Sequence, residues 1–179
     1  MSLLLIGIPE TFAAKLVQRL REEQDEVRLL LPEGAGPDPW KKLGAFVATG
    51  EAGDADLIER VATNVRTIVL GEEAASLSTE ELGELLAGAR KADVGRFVVC
   101  QAQPDPGLVE ALRSSEVEFV VLTTAKKPLI GKARTKIPIS KLSEAVDAAD
   151  DIAGRIQAEL DLTIPKAWKV LKVSPPIEK

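Results

Sequence analysis

The sequence predicts a single α/β domain built on one doubly wound parallel sheet with helices on both faces. Three observations predict it. Six short segments are apolar throughout and rich in Val, Ile and Leu; helix signals alternate with them; and 45% of the 179 residues are apolar, enough for a sizeable core. Strands with no polar face are covered on both sides, as in parallel sheets whose crossover helices flank them. Right-handed crossovers leave few topologies, and the doubly wound sheet leads among them. One domain of this length buries roughly 70% of its unfolded surface.

The first strand is Ser2–Ile6 and stops at Gly7. A helix follows Pro9, with Phe12, Leu16, Val17 and Leu20 at helical spacing and Lys15, Arg19, Arg21 and Glu22 opposite. Val27–Leu31 is the second strand. Asp38 to Gly44 reads as a short helix, with Asp38 as N-cap, Pro39 in the first turn and Gly44 as the stop. Ala45–Ala48 is a short third strand. Asp54 caps a helix whose apolar face is Leu57, Ile58 and Val61, and Arg66–Leu70 is the fourth strand, closed by Gly71. Ser78 and Glu81 form a capping box ahead of Leu82, Leu85, Leu86 and Ala89. Phe97–Cys100 is the fifth strand, Asp105-Pro106 opens a short helix, and Val117–Leu122 is the sixth strand. A basic loop spans 126–141, and a last long helix starts near Ser140 with Leu142, Val146, Ala149, Ile152, Ile156 and Leu160 on one face. The expected organisation is one domain over 1–161 and an irregular basic tail over 162–179, in which Trp168 and Leu171 dock at most one turn.

Composition narrows the chemistry. There is no His, which removes the usual neutral-pH acid/base and the commonest metal ligand. There is no Tyr, and the single Cys, Cys100, sits inside an apolar strand as a small core residue. A disulfide framework is excluded, which fits the cytoplasm or another reducing compartment, an organelle stroma included if a transit peptide has been removed. No apolar run is long enough to predict a transmembrane helix. The net charge of −5 is uneven: residues 126–141 carry Lys126, Lys127, Lys132, Arg134, Lys136 and Lys141 with no acid. That asymmetry speaks of partners. An acidic protein without aromatics among its basic residues points away from nucleic acid.

Several segments, in order, resemble the atypical short-chain dehydrogenase/reductase family, especially its NmrA-like branch, with a Rossmann-like NAD(P)-binding fold. "LLLIGIPETFAAKLVQRLREEQDEVRLLLPE" is similar to that family's first strand, glycine loop, helix and second strand. "LGAFVATGEAGDADLIERVATNVRTIVLGEE" is similar to its third strand, acidic turn, next helix and fourth strand, and "VEFVVLTTA" with "IPISKLSEAVDAADDI" to its sixth strand and following helix. The resemblance places Gly7 at the first glycine of the family's Gly-x-x-Gly-x-x-Gly loop, Glu10 at the second and Ala13 at the third. Ala13 is a mild change. Glu10 is a severe one: a carboxylate ~4 Å from a phosphate costs on the order of 4 kcal/mol at surface dielectric before relaxation. The resemblance further implies cofactor contacts at Phe12, at Glu33, where an acid favours a bare ribose 2′-hydroxyl, at Glu51 beside the adenine, and at Gly71.

The family's Tyr-x-x-x-Lys pair has no counterpart. The chain lacks Tyr altogether, and residues 102–116 hold no Lys. The expected function is therefore a non-catalytic binding or structural subunit that needs no cofactor. It docks to a protein partner or larger assembly through Lys126, Lys127, Lys132, Arg134 and the tail around Trp168. The alternative is a weak NAD- or NADP-binding redox sensor or atypical reductase using Gly7, Phe12, Glu33, Glu51 and Gly71. No catalytic or metal-binding residue is assigned. The bland reading of Gly7 is a tight strand end, and that of Glu33 and Glu51 is a pair of solvated turn residues.

Overall fold

In the computed structural model, residues 2–22, 26–101, 105–115, 117–123 and 169–172 are described. The chain runs β1 (Ser2–Ile6), α1 (Glu10–Glu22), β2 (Glu26–Leu31), α2 (Asp38–Lys42), β3 (Phe46–Thr49), α3 (Ala55–Ala62) and β4 (Thr67–Leu70). A 3-10 turn (Glu72–Ser76) then precedes α4 (Thr79–Lys91), β5 (Arg96–Gln101), α5 (Pro106–Ser114), β6 (Glu118–Thr123) and β7 (Lys169–Lys172). Every pairing is parallel, and the order is β3-β2-β1-β4-β5-β6-β7. The doubly wound sheet expected from the sequence is thus present, extended by a seventh strand.

Alternation along the strands divides the core in two. Leu3, Leu5, Val27, Leu29, Val69, Val98 and Val120 turn to one face, where Ala13, Leu16, Val17 and Leu20 of α1 and Trp40 of α2 cover them. Leu4, Ile6, Leu30, Ile68, Leu70, Phe97, Val99 and Val121 turn to the other. There Ile58 and Ala62 of α3, Leu82, Leu85 and Ala89 of α4, and Leu108, Val109 and Leu112 of α5 meet them. The chain winds outward from β1 with helices on the first face, then returns to β4 and winds the other way on the second. The reversal falls between β1 and β4, so the topological switch point lies at their carboxyl ends.

Local chemistry explains the helix starts. Asp54 accepts from the N–H groups of Asp56 and Leu57, both at 3.0 Å, and Asp105 accepts from Leu108 N–H at 2.7 Å. Ser78 and Glu81 close the reciprocal capping box, and those bonds hold the Glu81 carboxyl below its ordinary pKa. Asp38 is a correction: it is the first residue of α2, Pro37 stands at the cap, and no side chain caps that end. Gly44 does stop α2, at φ +85°, a left-handed conformation that suits glycine. The expectation of an irregular tail is corrected too. Lys169–Lys172 pairs in parallel with Val120–Thr123 along the open edge of β6. The helix expected from Ser140, the basic stretch with Lys126, Lys127, Lys132 and Arg134, and Trp168 lie outside the described residues.

Helices α3 and α4 meet at Gly88. A Cβ there would stand 2.4 Å from the Ala55 carbonyl oxygen and 2.8 Å from Ile58 Cβ. Replacing a mid-helix glycine by alanine ordinarily gains about 1 kcal/mol in helix propensity. Here overpacking costs ~1–3 kcal/mol and outweighs it. Gly88→Ala is expected to lower the urea midpoint with an unchanged m value.

Candidate functional site

In an open α/β sheet the ligand crevice lies at the carboxyl ends of the strands, at the switch point. In this chain Gly7, at the end of β1, and Gly71, at the end of β4, meet there. Gly7 adopts φ +61°, where a side chain is strained. The side from which its Cβ would project is filled by the 3-10 turn, with Ala74 N at 2.7 Å. A Cβ on Gly71 would stand 2.1 Å from the Gly7 carbonyl oxygen and 2.7 Å from Ile8 Cα. Two hydrogen bonds hold the contact: Gly71 N–H donates to Ile6 O at 2.8 Å, and Glu73 N–H donates to Gly7 O at 3.1 Å. Both glycines are thus needed for chain-to-chain packing.

The first turn of α1 faces the same crevice. Pro9 has no N–H and accepts from Ala13 N–H at 2.9 Å. Glu10 follows as an exposed acid in the first turn, where it satisfies the positive end of the helix dipole that an anion would otherwise use. Ala13, at the third glycine position, is 1% exposed and packs in the core against the sheet, so a methyl group fits there. Glu33 stands exposed in the turn after β2 and Glu51 exposed after β3. Phe12 lies within α1. The structure brings Gly7 and Gly71 into contact and places Glu33 and Glu51 at the same carboxyl edge.

Gln101 is the residue at this edge that sequence reasoning missed. It is fully buried at the end of β5. Its side-chain N–H donates to Gly71 O at 3.3 Å, and its side-chain oxygen accepts from Asp105 N–H at 3.3 Å. One amide therefore ties the end of β4 to the start of α5. Removing it would strand a buried carbonyl, at a cost of about 1–3 kcal/mol. The available signal was a lone polar residue closing an apolar strand.

The edge is rich in acceptors. Glu10, Glu33, Glu51 and Glu73 are all exposed carboxylates there. Among the described residues no group of His, Cys, Asp and Glu could hold a metal ion. Two features of this crevice disfavour a dinucleotide's diphosphate: the Glu10 carboxylate in the first turn of α1 and the missing N–H at Pro9.

Neither a protein-family model nor a curated protein matches this sequence. Solved structures do share its fold. An anaerobillin reductase from Escherichia coli, ChuY, superposes with a TM-score of 0.66 at 13% identity, over 100% of this chain and 99% of its own. A nucleoside-diphosphate-sugar epimerase from Staphylococcus aureus gives 0.65 at 12% identity, over 96% of this chain and 70% of its own. AtPrR2 with NADP+ and (+)-pinoresinol gives 0.62 at 17% identity, over 97% and 70%, while its apo form aligns over only 69% of this chain and 48% of its own. The fold is Rossmann-like, shared with reductases and epimerases. At these identities the likeness concerns the fold.

Cys100 lies at the end of the same sheet, buried, and burial pushes its thiol pKa up to about 12. The unfolded thiol ionises near its ordinary value while the folded one stays protonated, so the folded state binds more protons between about pH 9 and 12. Stability is expected to fall as pH rises through that window, and Cys100→Ala to flatten the fall. Native protein at pH 8 should resist alkylation by iodoacetamide and react once unfolded.

Proposed function

We propose that this protein is a non-catalytic Rossmann-like scaffold, descended from an NAD(P)-binding reductase-like ancestor, that binds a protein partner or seats in a larger assembly. The observation that supports this best is the exposed acid at Glu10, in the first turn of the helix that follows β1. The lack of Tyr in the sequence supports it further, since the resembling family donates a proton from that side chain. The partner surface is assigned to Lys126, Lys127, Lys132, Arg134 and Trp168. β6 ends at Thr123 on the carboxyl edge, and the basic stretch follows within three residues in sequence. A buried free thiol agrees with a reducing compartment. Among the described residues no helix is long and apolar enough to cross a membrane.

A second reading rests on the shared fold with AtPrR2, which holds NADP+. In that reading the protein is a redox sensor or weak atypical reductase with Gly7, Phe12, Glu33, Glu51 and Gly71 around the cofactor. The acid at Glu33 would favour NAD over NADP.

Calorimetric titration with NADH and NADPH separates the two. The scaffold reading expects a Kd weaker than about 1 mM for both, and micromolar affinity for either would overturn it. Glu10→Gly is expected to tighten NADH binding at least tenfold if the carboxylate is the main obstacle. An unchanged titration would overturn the electrostatic argument from Glu10. For the partner surface, the quadruple change of Lys126, Lys127, Lys132 and Arg134 to Glu should abolish recovery of partners in a pull-down. Undiminished recovery would clear the basic stretch of that role.

A further inference from the structure

The edge strand β3 is built to pair with something. It closes one side of the sheet, and among the described residues the large exposed apolar side chains both lie there: Phe46 is 63% exposed and Leu43 38%. The opposite edge strand, β7, reads Lys-Val-Leu-Lys, and lysines are a common guard against edge pairing. β3 reads Phe-Val-Ala-Thr and has no such guard. Beside it lies a cavity of about 500 Å³ walled in part by Phe46, Ala48, Val61 and Arg28, so α3 leaves apolar surface uncovered next to the edge.

The backbone states which groups are on offer. Gly50 N–H donates to Leu31 O at 2.9 Å, which directs the main-chain groups of Ala48 and Phe46 toward β2 by alternation. Those of Val47 and Thr49 therefore face outward. The two ends of the strand carry opposite charge. Lys41 and Lys42 are exposed just before it, and Glu51 is exposed just after it. A strand added parallel by a second copy would set like charges together. An antiparallel one sets each cationic end over an anionic end.

We propose that a second copy of this chain adds to β3 antiparallel about a two-fold axis at Ala48, joining two sheets into one. Val47 then pairs with Thr49 of the second copy, and the reverse, through four main-chain hydrogen bonds. Phe46 falls opposite Gly50 of the second copy, where no side chain competes for space and an aromatic ring covers the bare backbone. The Lys41–Lys42 end of each copy then lies over the Glu51 end of the other, twice by symmetry. The pairing is short, so the dimer is concentration-dependent. It is independent of whether a nucleotide binds.

Sedimentation equilibrium of the full chain over a concentration series tests this. The expected mass moves from 19.2 kDa toward twice that value. Phe46→Lys and Lys42→Glu should each lower the association constant about tenfold, and Val47→Pro, which removes an outward N–H, should abolish dimerisation. The double variant Lys42→Glu/Glu51→Lys should recover part of that loss, because the two ends are again of opposite charge. A chain that stays monomeric throughout, a dimer indifferent to Phe46→Lys, or a double variant no better than Lys42→Glu alone would each overturn the proposal. Circular dichroism checks the fold. Should Val47→Pro fail to fold, Phe46→Lys decides, since it alters only an exposed side chain.

Discussion

The contact between Gly7 and Gly71 is the constraint on which the rest of this architecture depends. It sits where the winding reverses, so it joins the two halves of the sheet at their shared carboxyl edge. The 2.1 Å that would separate a Gly71 Cβ from the Gly7 carbonyl oxygen leaves no room for any side chain. The 3-10 turn follows directly from it: Glu73 N–H donates to Gly7 O, and the turn then leads into the capped start of α4. Gln101 reinforces the same point from β5 by donating to the Gly71 carbonyl. Three strand ends are thereby fixed by main-chain groups and a single buried amide.

That arrangement has a chemical consequence. Backbone N–H groups that face a diphosphate in a nucleotide-binding loop must be free of other partners and free of nearby negative charge. Here exposed carboxylates at Glu10, Glu33, Glu51 and Glu73 give the edge a negative field. That field opposes an anionic ligand at the carboxyl edge. A basic stretch following β6 in sequence adds the opposite sign to the same chain.

The likeness to reductases and an epimerase is a likeness of scaffold. ChuY matches over the whole length of both chains, yet 13% identity leaves little of the side-chain chemistry in common. A doubly wound sheet tolerates that because its two cores ask only for apolar residues of suitable size along the strands and on the covering helix faces. Sites are set by a few side chains at the strand ends, and those can change while the strands persist.

The strands, and the helices that begin at Asp54, Ser78 and Asp105, were legible in the sequence because their causes are local. Unbroken apolar runs mark strands covered on both faces, and a side-chain oxygen two or three residues ahead of a free N–H starts a helix. The switch-point glycines were legible as positions, and Glu10 as a misfit in the loop. Asp38 misled because proline on both sides lets the helix begin one residue earlier than its capping chemistry implied. What only the tertiary structure decided are pairings between distant residues. β7 forms because β6 offers an open side to it, Gly71 must be bare because Gly7 lies against it, and Gln101 is buried because the distant Gly71 carbonyl and the nearby Asp105 N–H share its one amide. The β6–β7 pairing and the Gly7–Gly71 contact have no signature within a short window, since each is set by an element the chain reaches only after a crossover.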